Sequence, residues 1–143
     1  MIIPDANILI YAYNIDAAEN EKSKEWLEGV MSGPGRVCLC WQTITAFLRI
    51  TTSHRAFQSP LSLEEAFDHV EEWLSLTTTL VLTPTQNHLK ILEKLAKEGQ
   101  ARGPLLMDAH LAALAIEHGA VLATTDRDFR RFDGLKIINP LTA

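Results

Sequence analysis

Apolar positions along the chain alternate between short unbroken runs and stretches with helical spacing, the rhythm of strands exchanging with helices. The first run, Ile2 to Pro4, reads as a strand that ends at Asp5, and Asn7 to Tyr13 reads as a short helix. Asp16 is placed to cap a second helix reaching about Met31, with Trp26, Leu27, Val30 and Met31 as its inner face. Ser32-Gly33-Pro34-Gly35 stops it. Arg36 to Cys40 reads as the second strand, Gln42 to Thr51 as a helix, and His54 to Pro60 as a loop. Ser62 followed three residues later by Glu65 is a capping-box pattern and opens a helix to about Leu76. Leu80 to Leu82 is a third strand, and Pro84 suits the first turn of a helix ending near Gly99. Gly103-Pro104 introduces an apolar helix, Leu105 to His118, stopped by Gly119. Ala120 to Thr125 is a fourth strand, Asp128 to Phe132 a turn of helix, and Leu135 to Ile138 a last strand. The alternation predicts an α/β fold around a mostly parallel, twisted sheet of four to five strands.

Composition narrows this little. The 143 residues suit one domain, and 47% hydrophobic with 22% charged is ordinary for a globular chain. A net charge of −5 excludes binding nucleic acid through overall charge, so an RNA ligand would need a local basic patch or bridging metal ions. Cys38 and Cys40 sit two apart on a strand and share a face, a spacing that suits neither a disulfide between them nor a zinc site without further ligands. Both are expected to be small buried apolar residues. The start lacks a basic segment, and no stretch has transmembrane length without charges. The cytoplasm is the expected location, with no membrane partner.

The acids change the picture. In an open parallel sheet, ligands bind beyond the carboxyl ends of the strands, where strand order reverses. Asp5 follows the first strand, Asp126 and Asp128 follow the fourth, and Asp108 lies in the first turn of the helix feeding that strand. Each has an ordinary use: Asp5 as a helix cap, Asp108 as a complement to the helix dipole, Asp126 and Asp128 as turn formers. Their conjunction beside apolar runs is harder to assign to structure alone. Clustered carboxylates repel unless some protonate or a divalent cation neutralises them. Mg²⁺ and Mn²⁺ favour such hard oxygen ligands. Asn7 offers an amide to orient a carboxylate or a water.

At these positions the sequence resembles the PIN-domain family, and within it the VapC-like toxins of toxin–antitoxin systems. The resemblance is carried by Ile3-Pro4-Asp5-Ala6-Asn7, Ala46-Phe47-Leu48-Arg49-Ile50 and Asp108-Ala109-His110-Leu111-Ala112. Ala123-Thr124-Thr125-Asp126-Arg127-Asp128-Phe129 and Asn139-Pro140-Leu141 complete it, so it spans essentially the whole chain. It implies a three-layer α/β/α sandwich with an acidic pocket at one edge of the sheet. It implies an Mg²⁺- or Mn²⁺-dependent endoribonuclease acting on tRNA, rRNA or mRNA, a homodimer, and a cognate VapB-like antitoxin whose tail blocks the pocket. By matching position, Asp5, Asp108 and Asp126 become metal-pocket acids, Asp128 the less regular acid beside them, and Thr125 a hydroxyl that positions water or phosphate. One departure stands out. Many relatives carry Glu on the central helix where this chain has Ala46.

The implied chemistry is phosphodiester hydrolysis by a water that the cation activates, leaving 5′-phosphate and 3′-hydroxyl ends. Arg49, one turn beyond Ala46, is a candidate for a phosphate contact and equally for a structural ion pair. His54 and Arg55, or Arg127, Arg130 and Arg131, are candidates for a local RNA-contacting patch. His110 is expected to be structural, because two residues from Asp108 it faces elsewhere on the helix. Trp41, Phe47, Phe57, Phe67 and Trp73 are expected in the core or in dimer contacts, as is the stripe Ala66, Phe67, Val70, Trp73 and Leu74. Two rival functions remain open at this point. One is a phosphatase-like hydrolase with Asp5 as nucleophile and Lys94 or Lys97 near the phosphate. The other is a non-catalytic module that binds RNA or antitoxin, kept open by Ala46.

Overall fold

A computed structural model describes residues 1–142. Five short strands form one parallel sheet: β1 (Ile2–Pro4), β2 (Val37–Leu39), β3 (Thr79–Val81), β4 (Val121–Ala123) and β5 (Ile137–Ile138), in the order β3-β2-β1-β4-β5. The helices are α1 (Ala6–Tyr13), α2 (Asn20–Ser32), α3 (Trp41–Thr51), α4 (Leu63–Ser75), α5 (His88–Glu98) and α6 (Leu105–His118). A 3₁₀ turn, Arg127–Arg131, links β4 to β5. Strand order runs outward from β1 in both directions, so the reversal falls between β1 and β4.

Side chains alternate across each strand and divide the core into two layers. Ile3, Cys38 and Leu122 pack with α5, α6 and the 3₁₀ turn. Leu39 packs on the other face with Leu9, Leu27, Ile44, Phe47, Val70 and Trp73 from α1 to α4. The result is the expected three-layer α/β/α sandwich. Cys38 and Cys40 share the first layer, buried and unbridged.

Local signals explain most boundaries. Ser62 Oγ accepts from Glu65 N at 3.0 Å while Glu65 Oε1 accepts from Ser62 N at 3.1 Å, closing the capping box of α4. Gly119 ends α6 at φ 67°, a left-handed conformation that glycine adopts without a Cβ penalty. The 54–60 loop buries Phe57 against the α1–α4 layer. Phe47 and Trp73 stack edge-on in that layer with centroids 4.8 Å apart. Trp41 and Phe67, by contrast, are about half exposed, and Leu74 lies at the rim of the α4 stripe.

Two expected helix starts are displaced. Asp16 does not cap α2: it lies exposed in a turn where its N–H donates to Asn14 Oδ1, and the helix begins at Asn20. Asn20 Nδ2 donates to Tyr11 O at 2.7 Å, so the end of α1 fixes where α2 begins. Pro84 does not open α5 either. Glu117 of α6 accepts from both Thr85 N (2.9 Å) and Thr85 Oγ1 (2.6 Å), and His118 Nε2 lies 2.8 Å from Thr83 O. These contacts hold residues 83–85 off the helical path, and α5 starts at His88. The strands expected at 36–40, 80–82, 120–125 and 135–138 run over Val37–Leu39, Thr79–Val81, Val121–Ala123 and Ile137–Ile138.

Candidate active site

Asp5 is the first residue beyond β1 and is 8% exposed. Its Oδ1 accepts from Ala6 N at 2.8 Å, which caps α1, and its Oδ2 accepts from Thr124 Oγ1 at 2.7 Å. The helix-cap role and the site position therefore coincide in one carboxylate. The β1–β4 register pairs Pro4 with Ala123, so Asp5 and Thr124 arrive side by side one step beyond. Thr124 is 2% exposed, and its oxygen also accepts from Asp126 N at 3.0 Å. This one hydroxyl joins the segments after β1 and β4. It is Thr124, not the expected Thr125, that makes these bonds; Thr125 is half-buried, and both threonines line a neighbouring cavity. Only the strand register distinguishes the two threonines.

Asp126 Oδ1 accepts from Asp128 N at 2.8 Å and caps the 3₁₀ turn, which lifts Asp128 to the rim. Asp108 reaches the same place from the first turn of α6. One carboxylate oxygen from each of Asp108, Asp126 and Asp128 lies within 4.8 Å of the others. Asp5 stands outside that trio, its oxygens turned to Ala6 and Thr124. The oxygens that gather most closely are thus those of Asp108, Asp126 and Asp128, while Asp5 lies near enough for its charge to act on Asp108.

The electrostatics follow from this crowding. Burial, then the charges of Asp126, Asp5 and Asp128, push the Asp108 carboxyl up to about 6, against a small opposing pull from Arg131. Burial also raises Asp5, with Asp126 adding to the rise, although the bonds from Thr124 and Ala6 favour its charged form. Such a set of closely spaced hard oxygens fits a divalent cation, which would replace mutual repulsion by shared attraction. Asp108, Asp126 and Asp128 could hold it, with Asp5 and Thr124 bonded to each other beside them.

The remaining candidates fall at the periphery. Asn7 is exposed in the first turn of α1, and Arg49 is exposed in the last turn of α3. Ala46 is half-buried, and α3 approaches the site through Gln42, whose Nε2 donates to Met107 O at 3.1 Å. Arg131 Nη1 donates to Gly99 O at 3.0 Å and its Nη2 lies 3.8 Å from Asp128 Oδ1. Lys97 pairs with Glu93 on the exposed face of α5, where Lys94 is exposed too. His110 faces away from the acids: its Nδ1 lies 2.8 Å from His88 Nε2, and His88 Nδ1 bonds the buried side chain of Glu117. Burial raises Glu117, but its bonds from Thr85 and His88 prevail and hold it below the usual carboxylate range.

The PIN-domain family model matches residues 2–135. Among curated relatives, Ribonuclease VapC37 of Mycobacterium tuberculosis is 39% identical over 140 residues, covering 98% of this chain and 97% of that protein. Ribonuclease VapC33 of the same species is 36% identical over 141 residues, covering 99% of each. Among solved structures, VapBC-1 from nontypeable Haemophilus influenzae matches with a TM-score of 0.69 at 23% identity, covering 99% of this chain and all of that one. VapC20 of M. tuberculosis, described as a sarcin-ricin loop cleaving toxin, matches with a TM-score of 0.67 at 17% identity, covering 95% of this chain and 99% of that one.

Proposed function

The chain belongs to the PIN-domain family, among its VapC-like members, and from that premise we propose that it is the endoribonuclease toxin of a toxin–antitoxin pair, dependent on Mg²⁺ or Mn²⁺. The observation that carries the reading is the convergence of Asp108, Asp126 and Asp128, with Asp5 behind them, at the point where strand order reverses. A divalent cation bound there supplies acidity to a water and offsets charge on the phosphate. The chain's own contribution is positional. Thr124 holds Asp5 and the Asp126 backbone in one arrangement, Asp126 holds Asp128, and the Gln42–Met107 bond anchors the start of α6 that carries Asp108. Among the described residues, α3 supplies no acid at Ala46, so the acids of the hollow come from the segments after β1 and β4 and from the start of α6.

The partners of this reading are an RNA substrate and a VapB-like antitoxin that covers the hollow, in a complex built on a homodimer. Support comes from the exposed apolar residues Trp41, Leu106 and Met107 at the α3–α6 junction beside Asp108. No helix of the described residues is long and apolar enough to cross a membrane.

The test is direct. Protein freed of any antitoxin is incubated with total RNA and Mg²⁺ or Mn²⁺, alongside chelator and the Asp108→Asn variant. Cutting that yields 5′-phosphate ends and vanishes in both controls supports the proposal; cutting that survives both overturns it. Ala46 favours one second reading, a binding module without catalysis, and RNA retention without cleavage under every condition would select it.

A further inference from the structure

A 3₁₀ helix has three residues per turn, so side chains three apart eclipse one another. The run Arg127 to Phe132 therefore sorts into three stripes. Phe129 and Phe132 are buried in the α5–α6 layer. Asp128 and Arg131 pair with each other beside the acidic hollow. Arg127 and Arg130 form the third stripe, and both line a cavity of about 280 Å³ together with Thr125, Asp126, Asn139 and Thr142.

Three features point to what this cavity takes. First, neither Arg127 nor Arg130 has a carboxylate within salt-bridge distance among the described residues, whereas Arg131 is tied to Asp128 and Gly99. Two unpaired guanidiniums side by side in a chain of net charge −5 suit a phosphate, which they can grip through forked N–H donors. Second, Asp126 belongs to the acidic trio and also borders the cavity, so the two adjoin. Third, at about 280 Å³ the cavity lies just under the usual range for a small-molecule site and is far too small for a duplex. The wall has polar groups for it. Asn139 Oδ1 is already engaged by Leu141 N, leaving its amide N–H₂ as donor, and Thr142 Oγ1 donates to Asn139 O, leaving its lone pairs as acceptors.

We propose that this cavity seats the single-stranded nucleotide next to the scissile bond, with Arg127 and Arg130 on its phosphate and Asn139 and Thr142 on its sugar or base. The assignment rests on the ribonuclease reading and adds a substrate subsite to it. The experiment measures binding of a fluorescently labelled single-stranded oligoribonucleotide by anisotropy in the Asp108→Asn background, over a salt series. Arg127→Gln and Arg130→Gln are expected each to weaken binding about tenfold and to lower the salt slope by about one. In the otherwise unaltered enzyme the loss appears in KM rather than kcat. Shortening the RNA from the end that occupies the cavity erases the difference between variants and parent. Circular dichroism checks that both exposed substitutions leave the fold intact. Unchanged affinity and salt slope in both variants overturn the subsite, and if the parent still cuts RNA the nuclease reading stands without it. Loss of an acidic antitoxin segment with RNA affinity intact assigns the cavity to protein instead and also overturns it. A parent that neither binds nor cuts RNA overturns both readings.

Discussion

Asp108 is the acid with the least internal support. It is raised to about 6 with no hydrogen bond offsetting the neighbouring charges. A raised value means the folded, ion-free protein holds that proton more tightly than the unfolded chain. The associated stability is present below about pH 4 and is lost as pH climbs through about 6. The ion-free protein is therefore expected to melt at lower temperature as pH rises across that window, and Asp108→Asn to flatten the curve. At neutral pH the variant should gain about 1 kcal/mol after allowance for solvent screening, or a few degrees in Tm. A calorimetric pH series checks this; parallel curves for parent and variant would refute it. Thr124 makes the complementary case. Thr124→Val keeps the shape but removes the donor to Asp5 and the acceptor for Asp126 N, at a cost of about 1–3 kcal/mol. Cleavage should fall at least as far as stability does and return in Thr124→Ser; equal activity in the valine variant would remove Thr124 from the positioning role. The acids were legible in sequence because each follows a strand or opens a helix beside an apolar run. Thr124 was not, because choosing it over Thr125 requires the β1–β4 register.

At the scale of elements, two glycines show how packing decides a single methyl group. A Cβ on Gly99 would lie 2.9 Å from Leu95 O and 3.2 Å from the Phe132 ring, where α5 meets the 3₁₀ turn that bears Asp128. Gly99→Ala is expected to destabilise by about 1–3 kcal/mol and to disturb the Arg131–Gly99 contact. Gly29, inside α2 with nothing within 4 Å of its Cβ position, should behave oppositely: Gly29→Ala gains up to about 1 kcal/mol from helix propensity. Denaturant titrations of the two variants test the contrast, and shifts of the same sign would contradict it. A boundary is legible in sequence only when the groups that fix it are local. Ser62 and Glu65 announce α4 because both partners of the cap lie within one turn. The start of α5 is set by Glu117, more than thirty residues from Thr85 in the chain, so no local pattern around Pro84 reports it.

For the molecule as a whole, the sheet is what turns scattered aspartates into one hollow. Its strand order puts β1 and β4 side by side, so the segments that follow them bring acids from both halves of the chain together. Adding Mg²⁺ or Mn²⁺ should raise the Tm of the parent protein by mass action, and much less that of Asp108→Asn. Chelator should reverse the gain. A parent melting curve that ignores both ions would count against the cation-holding trio.

The bond from Thr124 to Asp5 joins residues 119 positions apart in the chain. Contacts so distant in sequence carry a large loop-closure cost and are slow to form. During synthesis, then, a ribosome carries a chain whose first acid waits for its counterparts until the fourth strand has emerged. A fragment ending at Gly119 lacks Thr124, Asp126 and Asp128 and should be inert toward RNA, so cutting begins only once the chain has emerged past them.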